Sequence, residues 1–187
     1  MISTSYLSYS QKHLIPWSEE LDSTFSWDFF KKRTITGGFA AISEFELNFA
    51  YAPDSLSTKV LIDYTIFLNT HTSRYNKTIY KKDLPPKNIL DHERLHFDIY
   101  EYHKRLVFEQ ISQIRVKKIE KLLKKIKKKY SISQKKVRTL QDKYDAETNF
   151  SNNIDNQEKW KIFIQNELIR LKEFSGTTIV IELKSGK

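Results

Sequence analysis

The stretch Ile89-Leu90-Asp91-His92-Glu93-Arg94-Leu95-His96-Phe97-Asp98 carries an HExxH pattern, and its surroundings read as helix. Residues four apart on a helix lie one turn above each other on the same face, so the imidazoles of His92 and His96 can reach a single metal ion. Glu93 then stands beside that ion as an acceptor for the proton of an attacking water. The chain has only five histidines, and two of them fall at this spacing with a glutamate between them.

Working outward, Pro85 and Pro86 suit the start of a helix, where a missing N–H costs nothing. Ile89, His92, His96, Ile99, Tyr100, His103, Leu106, Val107, Gln110, Ile111 and Ile114 follow at the three-and-four spacing of one buried stripe. Ile119, Leu122, Leu123 and Ile126 prolong it, so the helix is expected to continue toward Tyr130 and to break at Ser131 to Ser133. A second helix is expected from about Gln134 to Asn149. A third, capped by Asp155, carries Trp160, Phe163, Ile164, Leu168 and Leu171 and stops at Ser175-Gly176.

Upstream, Gly37-Gly38 marks a turn. Phe45, Leu47, Phe49 and Tyr51 alternate with Glu44, Glu46, Asn48 and Ala50, and Lys59 to Asn69 alternates through Val60, Ile62, Tyr64, Ile66 and Leu68. These are two half-buried strands, antiparallel in the simplest arrangement. Thr177 to Leu183 reads as a closing strand. The aromatic-rich segment from Trp17 to Phe30 is expected to pack on the core. The expected organisation is an irregular segment over 1–16 and a single domain over 17–187, with a long basic helical segment over 104–130.

Length and composition narrow the classes. The 187 residues, 39% hydrophobic and 13% aromatic, can bury a core and argue against disorder. Without cysteine there is neither a disulfide nor a thiolate metal site, so a metal must be held by imidazole and carboxylate, which suits a catalytic zinc. No run approaches the eighteen or so apolar residues of a membrane span. Met1 to Gln11 have neither the basic start nor the apolar core of a secretory leader. That leaves the cytoplasm, or export with a leader removed. The net charge of +9 is concentrated: residues 115 to 129 hold nine Lys/Arg against Glu120, a net +8, which leaves about +1 for the rest. A solvated helix face accounts for such a run, and no specific nucleic-acid partner is expected from it.

A catalytic zinc takes three protein ligands and an open position. His103 shares the helical face, but it lies seven residues past His96, roughly 10 Å along the axis, and cannot close the site. Asp98 and Glu101 point away from the motif face and read as supporting or surface groups. The best source of a third ligand is Lys143 to Phe150, with Asp145 first and Glu147 second; His71 and His13 stay open. Tyr144, in the same stretch, offers a phenol to stabilise an oxyanion.

His92 to Ile99, with Tyr100, Glu101 and Arg105, resembles the core of the bacterial family known as domain of unknown function 922. Phe25 to Phe30 and Ala40-Ala41-Ile42 resemble its N-terminal features. Tyr144-Asp145-Ala146-Glu147-Thr148, with Gln157 and Trp160, resembles its second motif. The likeness covers roughly residues 17 to 171, and the HExxHFD core is its specific part. It implies a zinc-dependent peptidase, of a family many of whose members are exported. In the family pattern the second motif ends in a His-Gly pair, where this chain has Phe150 and Ser151. Either Asp145 completes the ligand set, or the chain is a degenerate relative.

The expectation is therefore an α+β, zincin-like domain, with a small antiparallel sheet packed on the HExxH helix and further helices toward the C-terminus. Its site would be Zn2+ on His92, His96 and Asp145, with Glu93 as general base and Tyr144 as a further catalytic group, acting on a peptide or protein substrate. The alternatives are a non-catalytic binding domain of the same fold, and a binder of nucleic acid or anionic surfaces through the lysine helix.

Overall fold

The computed structural model describes residues 12–184, so the irregular start expected over 1–16 falls largely outside the described residues. Its last part is not irregular, because Leu14–Pro16 forms strand β1. The chain continues through a short helix α1 (Leu21–Thr24), β2 (Lys31–Arg33), β3 (Ala41–Ile42), β4 (Phe45–Pro53), β5 (Lys59–Asn69) and β6 (Arg74–Asn76). Helices α2 (Lys87–Ser112), α3 (Ile119–Thr148) and α4 (Ile154–Arg170) follow, and β7 (Thr178–Glu182) closes the described chain. This is an α+β architecture.

β5 is the spine of the main, fully antiparallel sheet. β4 pairs along one of its edges from Val60 to Leu68, while β7 and β1 share the other edge. The alternation in sequence sets its faces: Val60, Ile62, Tyr64, Ile66 and Leu68 are almost wholly buried and meet Phe97, Val107, Phe108 and Ile111 of α2. A second, three-stranded sheet departs from the expected all-antiparallel arrangement, since β6 pairs parallel with β2 and antiparallel with β3. Trp27, Phe30, Ala41, Tyr75 and Ile89 pack this sheet against the start of α2.

α2 is covered on several sides. Beyond the sheet, its Leu95 and Ile99 join Val137, Tyr144, Trp160 and Ile164 in a further core shared with α3 and α4. Glu101, expected as a supporting or surface group, is buried. It accepts from Lys104 Nζ (2.9 Å) and Arg105 Nε (2.8 Å), whose other donors reach the carbonyls of Ser175 and Leu168. Asp98 accepts from Trp17 Nε1 at 2.7 Å and pairs with Arg94.

The helix boundaries correct three expectations. α2 ends at Ser112 instead of running toward Tyr130, and Gln113–Lys118 leaves the helix, with Ile114 buried and the Val116 carbonyl accepting from the Lys184 N–H. A helix from 87 to 130 would extend roughly 65 Å, far beyond the sheet that must cover it. α3 runs straight through Ser131–Ser133, because Ser133 falls in phase with Leu122, Ile126, Val137 and Tyr144 on the buried face. α4 is capped by the Asn153 side chain, which accepts from the Asn156 N–H at 3.0 Å, and Asp155 lies in the first turn instead.

His103 sits where α2 meets α3 at Ser133. Burial pushes its pKa down to about 4, against a hydrogen bond to the Ser133 backbone and with help from the Lys136 charge. Between its unfolded value and about 4, the unfolded chain binds a proton that the native state refuses, so stability falls as pH falls through that window. The expected loss between pH ~7.5 and ~5 is about 2 kcal/mol. Urea unfolding of the wild type and of His103→Leu at both pH values should show that difference, and parallel pH dependences in the two proteins would refute it.

Candidate metal centre

The buried face of α2 carries His92 and His96 on successive turns, and the last turns of α3 cross it at that level. Asp145, the first choice for a third ligand, reaches both imidazoles: its Oδ1 lies 3.1 Å from His92 Nε2 and 3.0 Å from His96 Nε2. The two Nε2 atoms are 3.1 Å apart. Among the described residues this is the one group of three or more His, Cys, Asp or Glu side chains placed to hold a metal ion.

The donor set suits a cation. His96 Nδ1 lies 2.6 Å from Gln141 Oε1, and the Gln141 amide is oriented by its own N–H, which donates to the His96 carbonyl at 3.0 Å. Nδ1 of His96 is therefore the donor, and in the neutral ring Nε2 turns a lone pair on the carboxylate. Facing lone pairs repel unless a proton or a metal lies between them. Three atoms at these spacings are about 1.8 Å from their common centre, close to the ~2.0–2.2 Å of zinc–imidazole and zinc–carboxylate bonds, so His92, His96 and Asp145 would fit a zinc ion.

Proton affinities follow the same geometry. Burial would raise the Asp145 pKa, but hydrogen bonds from His92 and His96, and their charge, hold it well below the usual carboxylate range. For His96 burial works downward and is outweighed by the Asp145 hydrogen bond, the Glu93 and Asp145 charges and Gln141, so its pKa is raised. His92 is held differently: its Nδ1 is buried without a hydrogen-bond partner among the described residues, and its ring stacks on Tyr144 with centroids 4.5 Å apart.

Glu93 is buried beside the cluster. Its Oε2 accepts from the backbone N–H of Ser43 (2.8 Å) and from the Ser43 hydroxyl (2.5 Å), which fixes the carboxylate from the segment between β3 and β4. His92, Glu93, His96, Gln141 and Asp145 line a cleft of about 300 Å³, together with apolar groups from Phe39 to Ile42 and with Phe45, Ile89, Tyr100 and Phe150.

Other expected groups lie elsewhere. Tyr144 does not line the cleft: it is wholly buried behind the histidines, its hydroxyl faces the His92 carbonyl at 3.4 Å, and burial, then the Glu93 and Asp145 charges, push its pKa up. It is a packing platform for the imidazoles and cannot offer its phenol to a substrate in the cleft. Glu147 turns outward to Trp160 Nε1 (2.8 Å) and Lys143. His13 and His71 stack on each other, with centroids 4.4 Å apart, and neither joins the cluster.

Ser43, Tyr100 and Gln141 were not singled out for the site by the sequence. Gln141 had a usable signal, since it lies one helical turn before Asp145. Tyr100, one turn after His96, is the phenol that lines the cleft. Ser43 carries no local signal, because its contact with Glu93 depends on how β3 and β4 pack against α2.

Comparison of the chain with protein-family models, with curated proteins and with solved structures gives no match. The chemistry of these residues is what supports a functional reading.

Three substitutions separate ligand from support. Asp145→Ala should weaken zinc binding far more than Glu147→Ala, and Gln141→Leu should weaken it by about 10- to 100-fold, the usual cost of losing a group that orients a ligand. Competition titration against a chelator measures all three, and equal affinities for wild type and Asp145→Ala would remove Asp145 from the site.

Proposed function

We propose that the chain is a zinc-dependent peptidase of the HExxH type, with a zincin-like arrangement of its active-site helix on the sheet. The observation that carries this reading is the convergence of His92 Nε2, His96 Nε2 and Asp145 Oδ1 within 3.1 Å in a cleft that Glu93 also lines. Those three side chains would hold the ion. A zinc ion bound there supplies a Lewis acid that polarises a peptide carbonyl and lowers the pKa of water to near neutrality. Glu93 accepts the proton of the attacking water and passes it to the leaving amine. Ser43 keeps that carboxylate in place through both transfers. Tyr100 is the hydroxyl available to the carbonyl oxygen as charge develops on it, the role expected of Tyr144. The apolar lining from Phe39, Ile42, Phe45, Ile89 and Phe150 suits a peptide or protein substrate with a large apolar side chain beside the scissile bond.

The resemblance to domain of unknown function 922 supports the same reading and, with it, an exported protein. Ser151, at the glycine of that family's His-Gly pair, has φ 71°, a left-handed conformation that glycine adopts without cost. Phe150, at the position of the histidine, favours the second reading: a metal-holding domain of the same fold that binds a peptide without cleaving it.

Glu93→Gln decides between them. The variant should retain the zinc content of the wild type and lose about 10²- to 10⁴-fold of any activity on a mixed peptide library, the usual range for removing a general base. Fully zinc-loaded wild type that cleaves nothing above background would favour the binding domain. Equal cleavage by both above background would show that Glu93 is not the base.

A further inference from the structure

α3 presents a cationic face that the metal centre does not use. From Arg115 to Arg138 the chain has ten lysines and two arginines against the single acid Glu120. All ten lysines are exposed, the eight within α3 because Leu122, Ile126, Ser133 and Val137 turn the opposite face of the helix into the fold. Lys87, Lys104, Lys143 and Lys161 form ion pairs elsewhere, whereas no lysine of this run pairs with a carboxylate among the described residues. Lys121 and Lys125, Lys124 and Lys128, and Lys125 and Lys129 are each one turn apart, so like charges repel along the helix. Folding gains nothing from this pattern. A polyanion would relieve it.

What stands among the lysines indicates which polyanion. Ile132, 43% exposed, lies one turn from Lys128 and Lys129 on one side and from Lys135 and Lys136 on the other. An apolar side chain amid ammonium groups suits the boundary between lipid headgroups and acyl chains, and it adds nothing to phosphate contacts on a nucleic acid. The features that read bases are also missing from this face. Lysine greatly outnumbers arginine, and Tyr130 is not free to stack on a base because it stacks on Phe49 with centroids 3.9 Å apart. Among the described residues no helix is long and apolar enough to cross a membrane, so any such contact is peripheral.

We propose that the outer face of α3 docks on an anionic phospholipid bilayer, with its lysines among the headgroups and Ile132 at the interface. The docking is independent of the metal centre and stands whether or not the chain is a peptidase.

The test is co-sedimentation of the full chain with vesicles of phosphatidylcholine alone or with about a third phosphatidylglycerol, near ~0.1 M salt and again near ~1 M, where screening is strong. Binding should require the anionic lipid and disappear at high salt. The variant Lys124→Glu/Lys125→Glu/Lys128→Glu/Lys129→Glu should lose at least about 100-fold in partitioning, since each lysine near an anionic surface contributes a several-fold factor. Ile132→Ser alone should lose several-fold, and it serves if the quadruple variant does not fold. Equal binding to neutral and anionic vesicles, or no binding to either, overturns the proposal. So does a DNA duplex that displaces the protein from vesicles at equal phosphate concentration and binds wild type and Ile132→Ser alike; that outcome identifies a nucleic-acid surface instead.

Discussion

The Asp145 carboxylate, held between the imidazoles of His92 and His96, fixes where α3 crosses α2. The apolar cluster of Leu95, Ile99, Val137, Tyr144, Trp160 and Ile164 draws the helices together, but apolar contacts tolerate sliding. A hydrogen-bonded group of two imidazoles and a carboxylate does not, because misalignment leaves polar atoms buried without partners. The other path-setting features serve this crossing. The chain leaves the helix at Gln113–Lys118 so that α3 can double back, and it turns sharply after Thr148 so that α4 can cover Tyr144 from the far side.

That second turn is made in an unusual way. Asn149, Phe150 and Ser151 all have positive φ, at 48°, 50° and 71°. Each such residue other than glycine costs about 1–2 kcal/mol, so the surroundings must hold the turn in place. They do so through the Asn153 N–H on the Thr148 carbonyl (2.8 Å), the Phe150 N–H on the Asp145 carbonyl (2.9 Å) and the Asn88 side chain on the Ser151 carbonyl (3.0 Å). The result sets the Phe150 ring edge-on to Phe39, centroids 5.5 Å apart, in the lining of the cleft. A glycine turn would be less strained and would leave that wall open. The strain therefore coincides with the one place where the α3–α4 connection shapes the candidate site.

What the sequence discloses about this molecule depends on whether a feature is local. The period-two alternation in β4 and β5 and the three-and-four stripe of α2 are written residue by residue; the two strands form where the pattern puts them, and α2 does so as far as Ser112. The meeting of Asp145 with the histidines was readable because chemistry narrows the candidates for a third ligand. The helix break was not. Nothing between Gln113 and Lys118 is a glycine or proline, and the apolar stripe passes through it almost in phase; the break comes from tertiary cover, with Ile114 buried and Val116 bonded to Lys184. The same limit explains Tyr144. Composition offers a phenol near the site, but only the helix crossing shows that its hydroxyl faces the His92 carbonyl and that Tyr100 lines the cleft instead.

α3 thus carries two different chemistries, and its length keeps them apart. The densest part of the cationic run, Lys121 to Lys129, lies sixteen to twenty-four residues before Asp145. On a straight helix that is roughly 24–36 Å, against a screening length of about 8–10 Å at physiological salt. Those lysines therefore exert little field at the carboxylate–imidazole cluster, whose proton affinities are set by its own members and by Glu93 and Gln141. Charge added or removed at that end of the helix leaves the electrostatics of the candidate site largely unchanged. The ordered inner face of the helix still links the two ends mechanically, through Leu122, Ile126, Val137 and Tyr144. A surface bound along the lysines would hold the cleft at a fixed distance and orientation from it without altering the chemistry inside.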